Sequence, residues 1–154
     1  MRGAQDAGHQ VDKIRIATKN IGYCRACYFC RDHKGQCAIK DDMAEILEKL
    51  LNADVIVLAT PVYFYSVNAQ LKTVIDRIVA RWLEIQGKEF YYIMSAAEDT
   101  TTVMDTTLAC LRGLANCLEG SIERGVIYGK GVYEKGEIKN NPIMLQAYKM
   151  GQDV

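Results

Sequence analysis

Four cysteines stand close together in the chain: Cys24, Cys27, Cys30 and Cys37, in the pattern C-x2-C-x2-C-x6-C. Two-residue gaps let successive thiolates turn toward one centre, and a fourth cysteine several residues on can close a coordination shell. Four thiolates suit a [4Fe–4S] cluster or a structural zinc ion, and these spacings are closer to the ferredoxin type than to the two separated pairs of a zinc finger. Free thiols lining a loop are the third reading of the same residues. Arg25, Arg31, Lys34 and Lys40 outnumber Asp32 nearby, which favours an anionic centre, because cations stabilise the reduced form of a thiolate cluster. Tyr23, Tyr28 and Phe29 can shield such a centre from water, and His33 reads as a solvated loop residue rather than a ligand. The remaining two of the six cysteines, Cys110 and Cys117, fall in an apolar helical pattern and read as small buried side chains.

A second group of residues follows the β-branched run 54–60. In Thr60-Pro61-Val62-Tyr63-Phe64-Tyr65-Ser66, three aromatics stand where a parallel strand would end. They offer a flat, polarisable surface for a planar ligand such as a flavin, and amides of the loop can bond the ring's heteroatoms and tune its reactivity. The competing reading is that the aromatics plug a sheet edge or a subunit contact. No side chain presents itself as a general base, and no G-x-G-x-x-G nicotinamide fingerprint is present.

The elements that must position these groups alternate between strand and helix. Residues 1–8 read as the frayed end of a helix capped by Gly8, 11–18 as a strand, and 19–40 as a long loop. Asp42 with Glu45 forms a capping-box pattern, behind which Met43, Ile46, Leu47, Leu50 and Leu51 make one helical stripe. The run 54–60 reads as a buried parallel strand that Pro61 ends. Asn68 can cap the next helix, whose stripe runs from Leu71 through Val74, Ile75, Ile78, Val79 and Trp82 to Ile85. A strand over 88–95, a helix over 99–118, a strand over 121–128 and a terminal helix opened by Pro142 complete the alternation. This implies an open, mostly parallel α/β sheet in which ligands bind beyond the carboxyl ends of the strands.

Composition sets the frame. A chain of 154 residues with 49% apolar and 25% charged residues suits one globular domain, here 1–154 with a cysteine-rich loop at 19–40. The 19 basic residues balance 19 acidic ones, which argues against binding nucleic acid by phosphate neutralisation. No apolar run approaches the ~20 residues of a membrane span, and the first ten residues do not form a secretory signal. The expected compartment is therefore the cytoplasm, where clustered cysteines more often bind metal or do redox work than form disulfides.

Two stretches carry a family resemblance. TPVYFYSVNAQLKTVIDR resembles the flavin loop and following helix of the flavodoxin-like NAD(P)H-dependent FMN reductases. CRACYFCRDHKGQCAIKDDM is similar to the compact cysteine motif of the iron–sulfur flavoproteins within that group, and the tail GVIYGKGVYEKGEIKNNPIMLQAYKMG is similar to their C-terminal segment. The resemblance runs from about residue 11 to the end. It implies a doubly wound parallel sheet and FMN contacts from Thr60, Pro61, Val62, Tyr63 and Phe64, with Ser95 and Ala96 closing on the ring. It implies ligation of a [4Fe–4S] cluster by Cys24, Cys27, Cys30 and Cys37, although FMN reductases without a proven cluster carry similar cysteines. It further implies a flavin oxidoreductase linked to NAD(P)H or ferredoxin, serving a small-molecule donor or acceptor, and assembled as a homodimer or homotetramer.

The family's fold begins with a strand and a Gly/Ser/Thr-rich loop that cradles the FMN phosphate at a helix N-terminus. This sequence shows neither, so the resemblance implies that roughly thirty residues of the fold, about one βα unit, are absent. That first strand is central in the 2-1-3-4-5 order, and its loss leaves strand edges unpaired. The expectation is weak or absent FMN binding, with either a repacked sheet or a strand borrowed from a partner. Two other functions remain open: an NAD(P)H:acceptor reductase with FMN alone, and a non-catalytic cysteine/zinc module on a degenerate flavodoxin scaffold.

Overall fold

The β-branched run after Asp54 forms a strand, β1 (Val55–Tyr63), in the computed structural model, which describes residues 1–154. It runs through Pro61 instead of ending there. Pro61 lies in register with Ser95 of the neighbouring parallel strand β3 (Glu89–Ser95), and no strand flanks its other side. A proline is tolerated in such an edge position, where the ladder does not need its N–H. β3 pairs in parallel with β4 (Ile122–Gly129), with a bulge after Phe90, and a short β2 (Ser66–Val67) folds back antiparallel on the end of β1. The order is β2-β1-β3-β4. The sheet is neither reordered nor extended beside residues 55–61 of β1, which keep a bare edge.

One sheet face holds the core. Alternate residues Ile56 and Leu58 of β1 and Phe90, Tyr92 and Met94 of β3 pack with three helices. These are α3 (Met43–Asn52) through Met43, Ile46 and Leu47, α4 (Ala69–Arg77) through Leu71 and Val74, and α5 (Asp105–Cys117) through Leu108, Leu111 and Ala115. The other face is covered mainly over β4, by α6 (Ile143–Gln152), on which α1 (Arg2–Asp6) packs. Gly3 permits that crossing, since a Cβ there would stand 2.0 Å from the Tyr148 carbonyl oxygen. Val57, on this second face of β1, stays 51% exposed.

Several boundaries differ from the sequence expectation. Residues 11–18 form no strand, only a single 3-10 turn at Ile16–Thr18. Ile14 and Ile16 pack against the core instead, and a strand forms only where a neighbour offers a ladder. The stripe after Asn68 is helical only to Arg77 and then breaks into 3-10 turns at Ile78–Ala80 and Trp82–Glu84, although Ile78 and Ile85 are still buried. The helix expected from 99 begins at Asp105, after a 3-10 turn at Thr102–Met104. Asn68 caps α4 as expected, accepting the Leu71 N–H at 2.8 Å. At α3 the cap falls one residue early: Asp41 accepts the Met43 N–H at 3.1 Å, because Asp42 is drawn to the Asn20 N–H at 2.8 Å.

Candidate functional site

The strand ends bring the first group of expected site residues together. Thr60, Pro61, Val62 and Tyr63 close β1 beside Ser95 and Ala96 at the end of β3. Thr60 is buried, and its hydroxyl oxygen accepts the Asn68 N–H at 3.2 Å, fastening the start of α4 to the strand end. Ala96 is also buried and hydrogen-bonds β4 at Gly129. Beyond this base the chain turns through Phe64 and Tyr65, at φ of 49° and 61°. A two-residue hairpin turn with both central residues left-handed normally takes Asn or Gly, so two aromatics there store strain. The turn presents Phe64 wholly to solvent at 101% exposure, with Tyr63 and Tyr65 also exposed. The Tyr65 carbonyl accepts a hydrogen bond from Thr106, which steadies the turn against α5.

The cysteine loop packs at the end of α4, where Arg77 bonds its two ends. Gly35 crosses the 3-10 turn that follows α4 so closely that a Cβ would meet the Arg81 Cγ at 2.6 Å and the Ala80 carbonyl oxygen at 3.0 Å, and its φ is +76°. Ala26, Tyr28 and Lys34 are also left-handed, at 49°, 56° and 51°. A short helix α2 (Phe29–Asp32) interrupts the loop. Cys24 and Cys27 are exposed, whereas Cys30 and Cys37 are half-buried, and no three His, Cys, Asp or Glu side chains converge closely enough to hold a metal ion. Of the three aromatics expected to shield the thiols, Tyr23 and Tyr28 are exposed and Phe29 is half-buried. His33 is exposed, stacked on Phe29 with ring centroids 3.6 Å apart. Outside this loop, Cys110 is half-buried and Cys117 is exposed, so Cys117 is no core residue: it closes the last turn of α5.

The ends of the loop meet at a buried ion pair that sequence reasoning passed over. Arg77, 2% exposed, forks onto Asp41 at 2.8 and 3.0 Å. Burial alone would raise the Asp41 pKa, but the hydrogen bond from Arg77 and the N–H groups of Gly22 and Met43 hold the carboxyl below its ordinary value. Burial likewise opposes the charge on Arg77, and its hydrogen bonds to Asp41 more than offset that, so its pKa stays raised. The available signal was a charged residue at the Leu71/Val74/Ile78 spacing on the apolar side of α4.

A sequence profile of the NADPH-dependent FMN reductases matches residues 1–118. The chain belongs to this family. Within the FMN reductase framework, its similar relatives include an iron–sulfur flavoprotein of Archaeoglobus fulgidus, 39% identical over 79 residues, covering 51% of this chain and 36% of that protein. An iron–sulfur flavoprotein of Methanosarcina thermophila is 43% identical over 76 residues, covering 49% of this chain and 39% of the relative. The matched segments thus span well under half the length of those relatives. The azoreductase AzrA has a similar structure, with a TM-score of 0.74 at 12% identity over 99% of this chain and 87% of that one, a likeness of fold alone. The flavodoxin-like reductase fold is therefore established, with the sheet mostly parallel as expected.

Proposed function

We propose that this chain contributes the ring-side flavin site and a cysteine-ligated centre of an FMN-dependent oxidoreductase. The observation that carries the reading is the strained aromatic turn at Phe64–Tyr65, held at the carboxyl end of β1 beside Ser95 and Ala96. Strain kept in an exposed aromatic turn, where a glycine would be cheaper, points to a binding role. Thr60, Pro61, Val62, Tyr63 and Phe64 would line one side of the flavin, and Ser95 and Ala96 the other. FMN, when bound, supplies hydride and electron transfer. The chain's own part is to orient the ring on the aromatic side chains and to exclude water from it. Thr60 keeps the lining in place through its bond to the head of α4.

The cysteine loop fits a thiolate-bound centre in its chemistry. Four thiols come from one loop, and the buried Arg77 guanidinium is hydrogen-bonded to the two ends of that loop, with an Nε that has no hydrogen-bond partner. Cys24, Cys27, Cys30 and Cys37 would hold a [4Fe–4S] cluster once the exposed pair turns inward, as the relatives named iron–sulfur flavoproteins suggest. The donor is then NAD(P)H or a ferredoxin, the acceptor a small molecule, and the assembly a homo-oligomer in the cytoplasm. A second reading, FMN alone with an NAD(P)H donor, is favoured by the thiols' failure to converge.

Anaerobic reconstitution with FMN, ferrous iron and sulfide separates the two. The first reading expects flavin absorbance together with a broad visible band that bleaches with dithionite and about four irons per chain. Flavin without iron leaves the FMN-only reading standing. Weaker flavin binding by Phe64→Ala supports both, and full binding by that variant overturns the site.

A further inference from the structure

We propose that Arg77 and Asp41 form a clasp that presets the cysteine loop, with Arg77 the positioning residue for the Cys37 thiol. The inference deepens the proposed cysteine-ligated centre and rests on that reading for its chemistry, though not for its geometry. A buried guanidinium is costly unless its hydrogens are taken up, and every partner of Arg77 belongs to the two ends of one loop. Nη1 donates to the Gly22 carbonyl at 2.6 Å and to Asp41 Oδ2 at 2.8 Å. Nη2 donates to Asp41 Oδ1 at 3.0 Å and to the Ile39 carbonyl at 3.5 Å. Asp41 also accepts the Gly22 N–H at 2.8 Å, so residues 22 and 39–41 are drawn to one point on α4. Cys37 is tied to that point because its sulfur accepts the Ile39 N–H at 3.5 Å.

Two further observations show that the clasp serves more than stability. The Nε of Arg77 is buried without a hydrogen-bond partner, so one donor of the guanidinium is not used by the clasp. The loop between the clasped ends is strained at Ala26, Tyr28 and Lys34, and such conformations persist only when their surroundings hold them. A buried ion pair is commonly no more stabilising than an apolar pair of the same size, so its retention here is accounted for by the geometry it imposes.

The test uses the full chain with Arg77→Lys, Arg77→Gln, Asp41→Asn and the apolar double variant Arg77→Met/Asp41→Leu, which removes the clasp without stranding a buried charge. In the metal-free, reduced protein, alkylation by iodoacetamide is followed cysteine by cysteine. Wild-type Cys37 reacts more slowly than the exposed Cys24 and Cys27. In folded variants it approaches their rate, while Cys110, half-buried outside the loop, does not change. On reconstitution with ferrous iron and sulfide, iron affinity falls by about 10- to 100-fold, as for other residues that orient a metal ligand. The reduction potential of the centre falls in Arg77→Gln, where a neighbouring cation is lost, and is restored toward wild type in Arg77→Lys, which keeps the charge but not the fork. An unchanged Cys37 rate in a folded variant, with iron affinity also unchanged, overturns the clasp. If the wild type takes up no iron while the variants still release Cys37, the clasp stands and the cluster reading falls.

Discussion

Phe64 and Tyr65 are the residues at which local preference and structure disagree most. A bulky side chain at positive φ costs about 1–3 kcal/mol unless something requires it. Tyr65→Gly is therefore expected to stabilise the chain by about 1 kcal/mol, the relieved strain less the freedom a glycine adds to the unfolded chain, and thermal unfolding will show the rise. Phe64→Ala is expected to leave stability unchanged, since the ring touches little, while weakening FMN binding by about 0.5–1.5 kcal/mol, the range for one aromatic stack. Flavin fluorescence quenching measures the second effect. A Phe64→Ala variant that melts early would mean that the ring packs within the protein and does not serve a ligand.

The cysteine loop, the head of α3 and the end of α4 act as one element because Asp41 belongs to all three contacts. Its carboxyl accepts from Arg77, from the Gly22 N–H and from the Met43 N–H. The pKa of Asp41 is lower in the folded chain than in the unfolded one. Its stabilising contribution is complete above the ordinary carboxylate range and is lost as pH falls through the lowered folded value. Hydrogen-exchange protection across 22–41, taken relative to the intrinsic exchange rate at each pH, is thus expected to fall on acidification in the wild type. Asp41→Asn, which has no carboxylate to protonate, is expected to show fast exchange at neutral pH and no such acid step. An identical acid step in the variant would assign it to another group.

At the scale of the whole molecule, β1 has a row of backbone groups along 55–61 that no strand takes up, beside a second sheet face where Val57 is half-exposed. Exposed edges of this kind invite strand pairing between chains, and charge is the usual protection. Val57→Lys is expected to reduce concentration-dependent self-association, measured by sedimentation velocity, with little change in the melting temperature. Undiminished association would place the contact elsewhere. α6 leaves this region open because it packs over β4, where Gly125 admits Met150 beside Tyr91, while α1 packs on α6 at Gly3.

Periodicity and punctuation were enough to read the alternation of strands and helices, the Asn68 cap and the carboxyl-end location of the aromatic turn, because these depend on neighbours within a few residues. The motifs pointed to the family for the same reason: they are contiguous. Where a segment's state depends on a distant partner, local pattern misled. Residues 11–18 have the composition of a strand but no ladder to join, and Pro61 continues a strand because its outer side is an edge. Arg77 looks like one more surface charge until folding brings Gly22, Ile39 and Asp41 around it. The thiols' spacing was visible in the chain, but that no three of them converge in the folded loop was not. Composition and spacing determined which chemistry the chain can attempt. Only the packing of distant segments decided which charge is buried, which edge is bare and which thiol is held.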